Sequence, residues 1–430
     1  MSRLFGLLAL LLLMALLLLV PLGRPWAELP LSLNLGFLLL AGFVLGKLGI
    51  YARLPGITGY LLAGVAFGPS CLGILGRQAV DSLTLINSFA LTLIALTAGG
   101  EVNLSKVRER IHSYGWITAG QTVVTFLGVM LAMAVALHFL PGRFPAGPAG
   151  LFVVSALLAV IALANSPSST VAVIVESGAR GHMSQLVLGI TILKDILVIL
   201  AFAVMITVGT ALLGKGAAGG SEHLVALVAW ELAGSILFGV LLGFGIISYI
   251  KYVGAELPVF IIAVSFLSYE LSSLLHLHAL LVCMTAGLAV NNLSGRGREF
   301  IRAVEKGSLP VYVVFFAIAG ADLDFSVLSG AWRLVLVLVA SRFFFTWLGT
   351  VCGSLLAREE PVICRNVWMG FITQAGVSLG LAVAVAGTFS QWGEVFRNVV
   401  VGSIAVFQLI GPVLFKFSLI RAGEIQPGKS

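Results

Sequence analysis

Charge is scarce in this 430-residue chain. Only 10% of its residues are Asp, Glu, Lys or Arg, against about 25% in a soluble protein. That deficit excludes a water-facing globular surface, and with it a soluble enzyme or a disordered chain. Cysteine is scarce too. Cys71, Cys283, Cys352 and Cys364 lie in or beside apolar segments without CxxC spacing, so neither a disulfide framework nor a metal site is indicated. Walker loops, GxGxxG, HExxH and the nucleophile elbow are missing from the sequence, which leaves no enzyme chemistry and no cofactor to expect. The net charge of +7 fits loops at a membrane surface better than a nucleic-acid partner.

What the chain has is apolar length. Hydrophobic residues make up 59% of it and the mean hydropathy is +1.10. Runs near the 18–20 residues that cross a bilayer recur from end to end. Fourteen are read, over 3–22, 32–50, 56–70, 82–100, 116–139, 150–176, 184–212, 224–249, 256–272, 276–292, 307–322, 329–355, 362–387 and 394–418. The fold class is an all-α polytopic membrane protein with about 13 core transmembrane helices and one extra N-terminal helix. The longest connection, Asn292–Lys306, leaves no room for a soluble domain.

Residues 1–30 read as a retained hydrophobic helix rather than a signal peptide, because Pro21-Leu22-Gly23-Arg24-Pro25 offers no A-x-A cleavage site. Residues 31–420 form a single transmembrane domain, and 421–430 a short tail. With both termini inside, alternation places 17 of the 25 basic residues on the inner face and six on the outer, the asymmetry of the positive-inside rule. The remaining two, Lys194 and Arg342, fall deep inside apolar segments.

Two pairs of stretches repeat seven segments apart, which places the members of each pair on opposite sides of the membrane. Ala98-Gly99-Gly100-Glu101-Val102-Asn103-Leu104-Ser105 closes the fourth segment, and Ala319-Gly320-Ala321-Asp322-Leu323-Asp324-Phe325-Ser326 closes the eleventh. Polar interruptions, Ala164-Asn165-Ser166-Pro167-Ser168-Ser169-Thr170 and Thr373-Gln374-Ala375-Gly376-Val377-Ser378, cut the sixth and thirteenth. Pro167 removes a backbone donor, and broken backbone at membrane depth is tolerated only when buried in protein or lining a wet cavity. Paired interruptions in two inverted halves point to a secondary transporter. The halves are two inverted six-helix repeats, about 32–212 and 256–418, joined by a linker helix at about 224–249.

Lys194 and Asp195 are the only charges in Leu188–Leu200. At this depth they must be paired, hydrated or neutral. Adjacent helical residues point about 100° apart, so both cannot face one small pocket. Asp195 is aimed at the interruptions. Arg342 is paired with Asp195 or with a helix C-terminal end, and Lys194 faces a neighbouring cavity. Glu101 and Asp322 are solvated helix-end carboxylates or funnel residues. Glu231 and Glu256 read as interfacial. Glu270, His276 and His278 form a helix-end polar cluster or proton path, since His-x-His on a helix points the rings apart.

In Gly59-Tyr60-Leu61-Leu62-Ala63-Gly64-Val65-Ala66-Phe67-Gly68-Pro69-Ser70, Ala98–Glu101, Asn165–Thr170, the Asp195 helix, Phe316–Gly320 and Gln374–Gly376, the chain resembles the cation:proton antiporter superfamily, in the branch of Kef-type potassium-efflux proteins and bacterial sodium/proton exchangers. The resemblance spans about residues 32–418. It implies a homodimer in a bacterial cytoplasmic membrane, a mobile core against a scaffold, and alternating access. It also implies crossed interrupted helices beside an essential aspartate. Asp195 matches that aspartate and Arg342 the basic residue that compensates charge. Asn165, Ser166, Ser168 and Thr170 match the first crossing, Thr373 and Gln374 the second.

Relatives place Asn, Asp, Glu or Gln before the aspartate, where this chain has Lys194. The resulting function is exchange of a monovalent cation, Na⁺ or K⁺, for a proton, read as electroneutral because a single essential carboxylate serves both. Two alternatives stay open: transport of an anion or small organic acid through Lys194 and Arg342, and a non-transporting sensor or subunit.

Overall fold

The computed structural model describes residues 31–425 apart from 53, 103, 140–143, 146, 214–220, 324–327 and 375; the expected helix at 3–22 lies outside these. Among the described residues every element is helical: α1 (Leu31–Tyr51), α2 (Gly56–Phe67), α3 (Arg77–Ser82), α4 (Thr84–Glu101), α5 (Leu104–Glu109), α6 (Ile111–Phe139), α7 (Pro148–Leu163), α8 (Pro167–Ser177), α9 (His182–Leu212), α10 (Ser221–Tyr252), α11 (Leu257–Leu274), α12 (Ala279–Leu293), α13 (Gly297–Ala321), α14 (Leu328–Leu356), α15 (Pro361–Asn366) running into a 3₁₀ turn (Val367–Phe371), α16 (Gly376–Thr388) and α17 (Gly393–Arg421). Among the described residues eight spans are long and apolar enough to cross a bilayer and five apolar helices are shorter. They coincide with the thirteen segments read after residue 31.

Two details differ from the sequence reading. The expected loop Asn292–Lys306 is mostly the start of α13, which begins at Gly297 and carries Pro310 within it. Charged residues over that stretch hid the periodicity of a helix emerging from the apolar layer. The short α3 and α5 were also not foreseen, being too brief to leave a hydropathy signal.

Small residues decide which helices meet. A Cβ on Gly99 of α4 would strike the Met284 carbonyl of α12, and one on Gly287 of α12 would strike the Leu96 carbonyl of α4. In the other repeat motif, Gly320 of α13 lies against the Leu61 carbonyl of α2, and Gly64 against that of Ala317. The two Ala-Gly/Ala motifs therefore do the same work in two places, letting backbones touch where lipid offers no hydrophobic drive to associate. Across α6 and α14 the same device recurs: a Cβ at Gly120 would stand 2.8 Å from the Gly349 carbonyl oxygen, and one at Gly353 2.6 Å from that of Trp116.

At the centre runs α7, in which Val153–Leu163 is buried without interruption. A helix apolar all round has no solvent or lipid face, so α7 delivers its broken end into the middle of the molecule. Gly99→Val and Gly320→Val are each expected to cost about 1–3 kcal/mol or more by overpacking. Gly115→Ala, with open space around it, is expected to be neutral; thermal unfolding in detergent makes the comparison.

Candidate functional site

Each interruption ends one helix and starts another at the same depth. On the first, Ala164 turns to extended backbone after α7, and Ser166 caps α8, its Oγ accepting from the Ser169 amide at 3.2 Å with Pro167 in the first turn. Serine before proline is a strong start signal for a helix. On the second, the 3₁₀ turn stops at Phe371, Ile372 keeps helical backbone angles, residues 372–374 lie outside any helix, and α16 starts at Gly376.

The two breaks are joined directly. The Ser166 amide donates to the Thr373 carbonyl at 3.0 Å, and Gln374 Nε2 donates to the Ile161 carbonyl at 2.8 Å. Chain α17 presses on the same point, where a Cβ at Gly411 would stand 2.8 Å from Thr373 Cα.

Arg342, on α14 and 1% exposed, holds the two helix ends together. Its Nε donates to Ala162 O at 2.7 Å and Nη2 to Ala164 O at 2.9 Å, both at the end of α7. Its Nη1 donates to Ile372 O at 2.7 Å and Nη2 to Phe371 O at 3.4 Å, at the end of the 3₁₀ turn. A further contact reaches Asn165 Oδ1 at 3.5 Å, and the guanidinium lies 4.2 Å from the Phe407 ring centroid. Of the two partners foreseen for Arg342, the helix ends have it. Asp195 makes no ion pair with it within 4 Å. The reason is valence: two helix C-termini concentrate partial negative charge on several carbonyls, and a planar five-donor fork satisfies them together.

Asp195 sits near the middle of α9, which packs against α7, α8, the 3₁₀ turn and α16. The residue is 9% exposed and its Oδ1 is buried without a hydrogen-bond partner. One turn earlier the Thr191 hydroxyl is in the same condition, as are Asn165 Nδ2, Thr373 Oγ1, Gln374 Oε1 and Ser378 Oγ. Buried polar atoms without partners occur elsewhere too, at Thr118 and Gln121 for instance; the six here lie on α9 and on the two interrupted segments it packs against. Ser168 is turned to Ser166, Oγ to Oγ at 3.0 Å, and Thr170 Oγ1 donates to Ser166 O at 2.9 Å; these two shape the break. Lys194 is 1% exposed, and no ion pair joins it to Asp195. It lines none of the cavities described next, and its side of α9, with Val187, Thr191 and Val198, is buried in the protein.

Cavities approach the crossing from both ends of α9. A polar one of about 270 Å³ is lined by Glu101, Arg180, Ser184, Gln185, Leu188 and Arg302. An apolar one of about 690 Å³ includes Ile199, Phe202, Glu231, His278, Leu280 and Val377. Between Val377 and the first break is a void of about 20 Å³ lined by Asn165, Ser166 and Ser168, room for about one water. Leu188, Asp195 and Ile199 share one face of α9 by their spacing. One cavity stops two turns before the aspartate and the other one turn after. Glu101 thus lines an approach, whereas Asp322 is exposed and lines neither. Glu231 and His278 sit together in the larger cavity, and no group of three or more metal-ligating side chains occurs among the described residues.

At the other end of α9, outside the membrane layer, His182 Nε2 meets Glu359 Oε2 at 2.9 Å and Arg110 Nη1 at 3.0 Å. Burial pushes the Glu359 carboxyl up, but donation from His182 and Ser113 and the charge of Arg110 outweigh it and hold the group below the usual carboxylate range. No motif marks this cluster beforehand, since its members are scattered over more than 240 residues. Nor did it reveal the carbonyls under Arg342, which any residue type supplies.

Broken helices crossed at membrane depth, a lone buried carboxylate beside them and cavities from two sides define a polytopic secondary transporter, not an enzyme. The chain belongs to the transmembrane sodium/hydrogen exchanger family, whose model matches residues 35–420. It is 24% identical over 396 residues to the Na⁺/H⁺ antiporter NhaS5 of Synechocystis, covering 88% of this chain and 53% of that one. The probable Na⁺/H⁺ antiporter GerT of Bacillus cereus is 22% identical over 393 residues, covering 88% and 97%. The ammonium/H⁺ antiporter subunit AmhT of Alkalihalophilus pseudofirmus is 25% identical over 402 residues, covering 89% and 92%. The chain therefore spans about half the length of the first and nearly all of the other two. Among solved structures, the sodium proton antiporter MjNhaP1 of Methanocaldococcus jannaschii shares the fold at 18% identity. TM-scores are 0.64 and 0.71 for two of its structures, over 91% and 92% of this chain and 95% and 98% of those.

Arg342→Lys is expected to destabilise the fold by about 3 kcal/mol or more, because one ammonium cannot serve carbonyls of both helix ends; thermal unfolding reads it. Glu359→Gln is expected to lower stability at neutral pH. A carboxylate with a depressed pKa contributes fully above its unfolded value of about 4.3 and loses that contribution as pH falls through the lower folded value. The gap between wild type and variant should therefore close only in acid, as unfolding measured from pH 7 downward would register.

Proposed function

We propose that the protein exchanges a monovalent cation for a proton across a bacterial cytoplasmic membrane, with Asp195 as the group both compete for. The observation that carries this is the Asp195 carboxylate itself, buried, outside any ion pair, and with an unpartnered oxygen beside the crossing. Membership of the exchanger family and the antiporter names of its relatives support the same reading.

The chemistry is exclusion by charge. A buried carboxylate can be neutralised by a proton or by a cation; holding neither is costly. Asn165, Thr373 and Gln374 supply the polar atoms around a cation from the two breaks. Ser166, Ser168 and Thr170 hold the first break in shape, and Arg342 keeps the two helix ends from drifting apart. Because its guanidinium is engaged by carbonyls, Arg342 leaves Asp195 available. One carboxylate taking one proton or one monovalent cation exchanges equal charge, so the cycle is electroneutral. Lys194, one residue away and fully buried, opposes cation entry unless it loses its proton or stays turned to the core.

Movement follows an alternating-access scheme in two inverted six-helix repeats. Helices α6–α9 and α14–α17 form the core, α1, α2, α4 and α11–α13 the scaffold, and α10 is the linker between the halves. The protein works as a homodimer with both termini cytoplasmic.

Purified protein in liposomes with an internal pH dye tests this, with gradients of Na⁺, K⁺ and Li⁺ imposed in turn. Cation-driven proton movement is expected and should fall at least about 100-fold in Asp195→Asn, since the neutral amide cannot exchange charge. Lys194→Gln should keep exchange or bind the cation more tightly. If all three cations fail with folded wild type and Lys194→Gln abolishes binding of an organic anion, the anion reading takes its place. A sizeable current on a solid-supported membrane would overturn electroneutrality.

A further inference from the structure

We propose that Glu176 and Lys416 form a latch that fastens the moving core to the scaffold on the face where the positive-inside pattern puts the cytoplasm. The latch rests on the core-and-scaffold reading above. Its scaffold half is the turn between α1 and α2. Glu176, in the last turn of α8, accepts from the first two amides of α2: Gly56 N at 2.6 Å on Oε1 and Ile57 N at 3.3 Å on Oε2. Lys416, in α17 and 8% exposed, donates from Nζ to the Leu54 carbonyl at 3.1 Å.

All three bonds fall within scaffold residues 54–57, and their two side chains come from core elements that begin or pass at the crossing. Helix α8 starts at Pro167 in the first break and ends with Glu176. Helix α17 touches Thr373 in the second break through Gly411, and Lys416 follows less than two turns later. Each break is thus connected through one helix to the same scaffold turn, α17 carrying Pro412 between Gly411 and Lys416.

The chemistry suits a reversible tie. A carboxylate on the free amides at a helix start and an ammonium on a carbonyl are charge-assisted bonds. Either can be exchanged for water once the core slides. Glycine at 56 makes the approach possible, since a Cβ there would stand 3.3 Å from Glu176 Oε2 and 3.1 Å from the Tyr60 hydroxyl. With the latch closed, the larger cavity lies at the opposite face and continues through Val377 and Leu280 to the void beside Asn165. The smaller polar cavity lies on the latch's own side, so the latch holds the conformer whose larger cavity faces away from it.

Site-directed thiol labelling tests the latch without requiring transport. In full-length protein with Cys71 and Cys352 changed to Ser, Ala203→Cys reports the larger cavity and Gln185→Cys the smaller one, each probed from its own side by a membrane-impermeant maleimide. Unfastening by Glu176→Ala with Lys416→Met is expected to slow labelling at 203 and speed it at 185, each by about tenfold. Glu176→Gln, which keeps an acceptor and loses the charge, should lie between. Should the double variant not fold, Glu176→Gln and Lys416→Met taken singly must still move the two rates in opposite directions. Unchanged rates in folded variants overturn the latch. Wild type without cation-driven proton movement but with shifted labelling would sink the antiport reading and keep the latch; exchange with unshifted labelling would do the reverse.

Discussion

Everything at the centre of this molecule depends on how one guanidinium meets two helix ends. Breaking a helix inside a bilayer exposes carbonyls that lipid cannot satisfy. Two breaks at one depth would double that cost. Arg342 answers both with a single side chain, donating to Ala162 and Ala164 on one side and Phe371 and Ile372 on the other. In return the carbonyls make a buried guanidinium tolerable, and Phe407 covers its face. Neither partner would be stable at this depth alone.

That arrangement sorts charge within the site. The negative helix ends and Arg342 neutralise one another, while the starts of α8 and α16 carry the opposite partial charge. In the proposed exchange Asp195 is the negative charge that proton and cation share, and the unpartnered oxygens of Thr373, Gln374 and Thr191 are the proposed ligands that add no charge. On that proposal, selectivity for charge rests on one residue and selectivity for size on the shell that the breaks position.

Much of this was legible in the sequence because membrane proteins write their constraints in hydropathy. Thirteen apolar segments, two interruptions and three charges at depth all stand out against a uniform background, and Asn165–Thr170 and Thr373–Gln374 meet at one crossing. The small-residue motifs were visible as a repeat, yet their purpose was not, since Gly99 and Gly320 act on the carbonyls of helices far away in sequence. What stayed hidden was contact made through backbone. Nothing about the letters at 162, 164, 371 and 372 distinguishes them, and Glu176 and Lys416 look like ordinary residues at segment ends. The early part of α13 was lost for a different reason: outside the apolar layer, hydropathy no longer reports helix.

The seam between the breaks also bears on how the chain is made. Gln374 and Ile161 are 213 residues apart, and the Ser166 amide finds its acceptor at Thr373. At about 5–20 residues per second of synthesis, the first half waits roughly 10–40 seconds before its partner exists. Throughout that interval the end of α7 carries open polar backbone within reach of lipid. Biogenesis must therefore shelter this segment, by delaying its release into the bilayer or by keeping water beside it. A newborn half-protein is the most vulnerable form this molecule takes.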